Sequence, residues 1–573
     1  MTALAVQVLV WIVVGAGAIS IASWLAHRSH RRFRRRARGP ASLSLGRGEV
    51  PTKLDTLLDP LEAQNQGQSG LATLLDNSEA FAARALSSAQ AGRSLDLMYY
   101  IWNTDLTGWL LMDALVSAAD RGVRIRLLLD DVNVQGFDPA FLALTQHKLI
   151  DVRLFNPTRN RGHVVRRAIE MVLGLARFNR RMHGKLWIAD GRLAIIGGRN
   201  IGDTYFGAVD ADTRNSVDAD MLLVGPKVDE VAALFDSYWN LGLSMPILAL
   251  WPGFKINLTK FCTQLACEVR KPRSRRYISK TLDGRTAEAV LAGRLHWTDK
   301  VQLLADPPDK AYGNHSAPWM STAIADILMG AQTEVRLITP YFVPGRAGIA
   351  GLTGLATRGV RVCLLTNALS ATDMLLVYGA YRRYRGALLA AGAVIHEFSP
   401  APKPDRKRDV LHSKVFVIDR AQAIVGSLNF DLRSAFTNTE LGLLFEHPAL
   451  VADISQMIDT LSAPDQAYAV SRPHHALRWA VARPGLPAVM SVEPEASGPQ
   501  RAISWLAIKS SLLRQKPRIR SSYPPKHGAC GGSAASSSPA STATVTIAIG
   551  GTCTVSRIAP AKVDRHHLKR VAM

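Results

Sequence analysis

Two stretches of the chain carry His, Lys, Asp, Gly and Asn at the same offsets. The first holds His183, Lys185, Asp190, Gly197 and Asn200; the second holds His412, Lys414, Asp419, Gly426 and Asn429. In both, the positions are 0, +2, +7, +14 and +17. An apolar run follows each His-x-Lys, so the alternation predicts a strand with an imidazole and an ammonium side by side on one face. Such a pair suits a phosphate. A single His-x-Lys is most often a solvated strand face; five matched positions occurring twice argue for a site.

Brought together, the copies supply two imidazoles, two ammonium groups, the amides of Asn200 and Asn429, and the Ser427 hydroxyl. Lys185 and Lys414 match non-bridging phosphate oxygens, and preorganised donors of this kind stabilise a pentacoordinate transition state. One His can attack phosphorus while the other protonates the leaving alkoxide, a contribution of about 10²–10⁴-fold. The attacking imidazole must be neutral and the other protonated, which a carboxylate beside each can arrange. Glu440, Asp218 and Asp220 are the candidates. No metal and no cofactor is expected, since two lysines already neutralise the phosphate. The residues leave open which His attacks. Asp190 and Asp419 complete the catalytic triplets, and each is read as ending its strand and buttressing the site.

The surrounding pattern predicts two lobes of one kind. An amphipathic helix starts near Ser78, a strand covers Leu95–Trp102, a helix covers about 107–120, and Arg121-Gly122 turns into a strand ending at Asp130. Glu334–Phe342 and Arg358–Asn367 repeat this rhythm. The fold class expected is α/β, a parallel or mixed sheet in each lobe with helices on its faces. The boundaries are a first lobe at 77–250, an interlobe segment at 251–299 and a second lobe at 300–470. A C-terminal extension at 471–514 and a low-complexity, disordered tail at 515–573 follow. The apolar patch Pro246–Pro252 reads as buried interdomain contact or as a surface dipping into a bilayer.

Residues 2–26 contain no charged side chain. As a helix of about 1.5 Å per residue they extend about 37 Å, enough for a hydrocarbon core of about 30 Å. Seven Arg follow between Arg28 and Arg38 and none precedes, unlike a cleaved signal peptide. The positive-inside rule then places everything after residue 27 in the cytoplasm, and 27–76 reads as a basic juxtamembrane segment and linker. The net charge of +23 resides mostly at the ends, +7 in residues 1–50 and +11 in 501–573, which leaves +5 for the body. No nucleic-acid partner is therefore expected. Five Cys without metal-ligand spacing fit a reducing compartment.

The doubled His-x-Lys-x(4)-Asp, each with its Gly-x-x-Asn, resembles the phospholipase D superfamily. Tyr99–Trp102, Phe178–His183, Gly197–Gly207 and Gly426–Ser434 are similar to bacterial cardiolipin synthases, and among them to the C subgroup. The resemblance spans about 78–495. It implies a single-pass protein of the bacterial inner membrane that moves a phosphatidyl group from one phospholipid to phosphatidylglycerol through a phosphohistidine. Phosphatidylethanolamine is an alternative donor, and there is room for an accessory protein. It also implies His183 as nucleophile, His412 as general acid, and Glu440 with Asp218 or Asp220 orienting them. Gly198, grouped with Asn200, Asn429 and Ser427 as phosphate-binding, replaces the Ser of many superfamily members. Rival readings are a phospholipase D-type hydrolase, a nucleic-acid phosphodiesterase and a catalytically silent membrane scaffold.

Overall fold

In the computed structural model, residues 3–134, 136–210, 213–253, 257–286, 293–314, 319–403 and 406–509 are described; the tail expected at 515–573 lies outside them. The first lobe is a nine-stranded mixed sheet. Its centre runs Asp220–Val224, Leu193–Gly197, Leu186–Ala189, Ser94–Tyr99, Arg124–Asp130 and Ile150–Phe155. The second lobe is a ten-stranded sheet whose centre repeats that order with Leu441–Phe445, Gln422–Gly426, Val415–Ile418, Glu334–Ile338, Arg361–Asn367 and Val394–Phe398. In both lobes the last three of these strands are mutually parallel, and the strand after His-x-Lys pairs antiparallel with the first of the three.

The turns that begin the second strand of each parallel pair use glycine for its tolerance of positive φ, +100° at Gly122 and +89° at Gly359. Period-2 alternation then divides the strands between cores. Trp187 and Ala189 join a core on the outer face of the first sheet, whereas Leu186 and Ile188 turn inward. Phe416 and Ile418 join the outer core of the second lobe, whereas Val415 and Val417 turn inward. The inward residues of both sheets, with the helices Lys227–Trp239 and Pro448–Leu461, form one shared core. The lobes are thus welded back to back by apolar packing, so their relative placement is fixed.

Several boundaries differ from the sequence expectation. The segment read as linker contains the helix Lys53–Gln64 and the strand Ser69–Leu74, which pairs with Asp220–Val224. A Thr52–Asp55 capping box starts that helix, and Asp55 ties it to Arg93 and Arg192. In the patch at 246–252, Ile247 and Leu250 are buried in the first lobe's own core rather than between the lobes, while Leu248 stays exposed. The extension past 470 is partly integral to the second sheet, adding Arg478–Ala480 and Val489–Met490, and Trp479 donates to the buried Glu397. The helix Gly498–Lys509 lies on Leu375–Ala390, with Arg382 donating to Ser504 at 3.2 Å.

At the other end, one helix runs from Ala3 to Arg36, carrying the uncharged stretch and continuing through most of the Arg run. Its part Val10–Arg36 is long and apolar enough to cross a membrane.

Candidate active site

Each His is delivered by a backbone pairing between the lobes. Met182 pairs in parallel with Thr439, so the next residues on the two segments, His183 and Glu440, stand side by side. Leu411 pairs in parallel with Val217, so His412 and Asp218 do the same. The hydrogen bonds His183 N to Thr439 O (2.9 Å), Thr439 N to Arg181 O (2.8 Å) and His412 N to Val217 O (2.8 Å) hold these junctions. The result is an exchange: each imidazole is held by a carboxylate of the opposite lobe. His183 Nδ1 lies 2.8 Å from Glu440 Oε2, and His412 Nδ1 lies 2.5 Å from Asp218 Oδ2.

Two further residues fix the segments that enter the motifs. Asp130 accepts from Met182 N at 3.1 Å, and at the equivalent strand end Asn367 clamps both the N–H and the C=O of Leu411. The predicted strand begins after the motif, at Leu186 and Val415, so the His and Lys lie on its approach. Both lysines are buried, and each donates to the carbonyl of its own His. The charge of Lys414 bears on His183 and that of Lys185 on His412, so the four groups share one enclosed field.

Burial sets the protonation states. It pulls His183 down to about 4, against the opposing pull of Glu440, and lowers His412 as well, where Lys414 adds to the effect. Burial pushes Glu440 upward, but His183, Lys185 and the Ser427 hydroxyl outweigh it and hold the carboxyl at about 2. Asp218 is likewise pushed up by burial yet held well below the carboxylate range by Lys414 and His412. Both carboxylates are therefore ionised, and His183 beside Glu440 is neutral above about pH 4. His183 Nδ1 faces two acceptors, Glu440 and the Ser427 carbonyl at 3.1 Å, so Nδ1 carries the proton and Nε2 keeps its lone pair. That is the form a nucleophile needs.

A profile family for the cardiolipin synthase, phospholipase D-like domain matches residues 83–239 and 324–462, the two lobes. The chain belongs to this family. Within the phospholipase D-like cardiolipin synthases it is 36% identical over 422 residues to cardiolipin synthase C of Escherichia coli strain K12, covering 71% of this chain and 87% of that one. It is 25% identical over 393 residues to cardiolipin synthase A of Salmonella arizonae, covering 68% of each. The crystal structure of phosphatidylserine synthase from Haemophilus influenzae shares the fold, with a TM-score of 0.51 at 14% identity, over 80% of this chain and 97% of that one. The chain is thus an enzyme of the phospholipase D-type phosphatidyltransferases.

Measured against this family site, the candidate residues separate. Asp220 does not reach a His; it pairs with Arg84 at 2.9 Å and Arg199 at 3.4 Å, all fully buried. Asp190 and Asp419 face backbone rather than either His. They stand seven residues beyond their His along the chain, and their carboxylates accept the backbone N–H groups of Gly92, Arg93 and Ser94 and of Gln332, Thr333 and Glu334. Removing the charge, Asp190→Asn, is expected to cost about 2–3 kcal/mol of stability with kcat unchanged; thermal unfolding beside a turnover assay checks both.

The hydroxyl of Ser427 is engaged within the protein, donating to Glu440 at 2.5 Å and accepting from Leu441 N at 3.1 Å. Asn200 is engaged too, between Ile101 N and the Tyr205 hydroxyl, whereas Asn429 Oδ1 is buried without a partner among the described residues. Gly198 makes room: a Cβ there would lie 2.1 Å from Asp218 Oδ1. Gly198→Ser is therefore expected to displace Asp218 from His412 and lower turnover by about 10²-fold, readable as a fall in kcat. The residues that went unrecognised are Tyr100 and Tyr205, whose rings stand edge-on to His183 and His412 at 4.8 and 5.3 Å, together with Asp130 and Asn367. Tyr100 and Tyr205 lie inside the family-like stretches, the only signal that marked them.

The same burial lowers Lys185 to about 7 and Lys414 to about 8. Both ammonium groups are present below these values and lost as pH rises through them, while His183 is neutral above about 4. The expected kcat/KM profile rises through pH 4, falls first as His412, lowered from the ordinary imidazole value, loses the proton a general acid needs, and falls further between pH 7 and 8 as the lysines are lost; a pH–rate series tests it.

Proposed function

We propose that the chain is a cardiolipin synthase that carries a phosphatidyl group from one phospholipid to phosphatidylglycerol through a phosphohistidine on His183. The observation that carries this reading is the crossed pair of His–carboxylate contacts, with Lys185 and Lys414 buried beside their own His residues. In the first step His183 Nε2 bonds to phosphorus, the phosphorus–alkoxide bond breaks, and His412 gives its proton to the departing alcohol. In the second, the glycerol hydroxyl of phosphatidylglycerol attacks phosphorus, returns a proton to His412, and the phosphorus–nitrogen bond breaks. With phosphatidylglycerol as donor the alcohol released is glycerol; with phosphatidylethanolamine it is ethanolamine.

Membrane placement follows from the helix Ala3–Arg36, which supports a single span in a bacterial inner membrane. The Arg run after the span supports lobes facing the cytoplasm. Mass spectrometry of the lipids after incubation with phosphatidylglycerol, alone and with phosphatidylethanolamine, tests the reading. Cardiolipin should accumulate with a stoichiometric small alcohol. Phosphatidic acid without cardiolipin would establish instead a hydrolase, whose acceptor is water and whose site is otherwise the same.

A further inference from the structure

The helix Val164–Leu173, with the short helix Leu175–Phe178 after it, leads directly into the first motif. Its amphipathicity is turned outside in. Val164, Val165, Ile169 and Val172 are 85%, 71%, 54% and 73% exposed, and Leu175 continues the stripe at 41%. These residues recur at helical spacing and cover one continuous face. Arg167 and Glu170 face the protein, while Arg166 is exposed beside the apolar face. Arg167 is buried 3.8 Å from Asp131, and Glu170 accepts the backbone N–H groups of Arg159 and Asn160 at 3.0 Å. A helix on a water-facing surface is oriented the other way, and contiguous apolar patches left outside mark an interaction site.

The position of this helix identifies what it meets. It packs beside the end of the N-terminal helix, where His30 lies 3.6 Å from Glu170 and its ring 6.1 Å from that of Phe178. Arg159 also stands over the Phe33 ring at 5.3 Å. His30 comes four residues after the uncharged stretch ends at Ala26, about 6 Å further along the axis. The exposed stripe is therefore level with the boundary between head groups and acyl chains, and the Arg side chains of 28–38 share that level.

We propose that Val164–Leu175 lies in the bilayer surface with its apolar face among the acyl chains, a second membrane contact beside the spanning helix. The proposal rests on the reading of that helix as a membrane span. Because Phe178 and Arg181 follow immediately, the contact holds the His183 side of the site at the lipid surface from which the substrate must come.

The test uses the full chain in vesicles of phosphatidylglycerol and phosphatidylethanolamine, with its five native Cys replaced and Val172→Cys carrying an environment-sensitive fluorophore. Emission shifted to the blue and quenched by nitroxide on the acyl chains is expected, while a label at Thr357→Cys in the second lobe stays water-like and unquenched. Water-like emission at 172 overturns the proposal. A blue shift without lipid quenching also overturns it, since a second protein surface would then cover the stripe. This readout needs no turnover, so it stands apart from the lipid assay above. In addition, Val165→Asp/Ile169→Asp/Val172→Asp should raise KM for vesicle substrate by about tenfold or more and leave turnover of a short-chain, monomeric phosphatidylglycerol unchanged. Equal loss on both substrates would mean that the face does not serve lipid contact.

Discussion

Removal of either imidazole, His183→Ala or His412→Ala, is expected to lower phosphatidyl transfer by about 10⁴-fold or more. Both rings occupy a preformed setting of backbone junctions and ionised carboxylates that does not depend on them for its core packing, so thermal unfolding should stay cooperative. The two losses should differ in kind. His183 Nδ1 is fixed as the protonated nitrogen by Glu440 and the Ser427 carbonyl, which leaves Nε2 free to form the bond to phosphorus. In the proposed mechanism the protonated His412 supplies the proton that the departing alkoxide needs. A phosphatidyl ester with an activated phenol as leaving group needs no such proton, so it should restore the first step in His412→Ala and not in His183→Ala. His412→Ala stopped with denaturant at neutral pH after reaction with this ester should carry the phosphatidyl label on His183. Rescue of both variants alike, or label found on His183→Ala, would sink the assignment.

The carboxylates give the second large effect. Asp218→Asn and Glu440→Gln keep the shape of the site but lose the charge that orients each ring and stabilises its protonated form, and a fall of about 10²–10⁴-fold in kcat is expected for each. A positioning role predicts more than a loss. Glu440 raises His183 against the pull of burial toward about 4, so without it the acid limb of kcat/KM should move to lower pH in Glu440→Gln. Asp218→Asn should leave that limb in place, because Asp218 serves the other ring. An unshifted limb in Glu440→Gln would show that the carboxylate acts only on packing.

What could be read from the residues followed the range of the interactions involved. The duplicated motif, the α/β rhythm and the turns at Gly122 and Gly359 are local patterns, and the structure carries them. The carboxylates were narrowed to three, but choosing Asp218 over Asp220 requires the parallel pairing of Leu411 with Val217, 194 residues away, and no local pattern encodes it. The roles of Asp130 and Asn367 were hidden for the same reason. The linker reading failed where the strand Ser69–Leu74 has the sequence Ser-Gly-Leu-Ala-Thr-Leu, short of β-branched residues and held by its neighbours on both sides. The Ser427 hydroxyl was assigned to phosphate by its chemistry, and only the geometry shows Glu440 as its acceptor.

The exchange of carboxylates between halves also bears on how the enzyme is made. Glu440 lies 257 residues after His183, and His412 lies 194 after Asp218. On the proposed reading, the N-terminal span can already sit in a bilayer composed of substrate while the ribosome is still extending the chain, yet His183 has nothing to orient it. On that reading, hydrolysis of membrane lipid by an unfinished polypeptide is forestalled, and activity is expected only when translation has passed residue 440 and the latter half has folded onto the former.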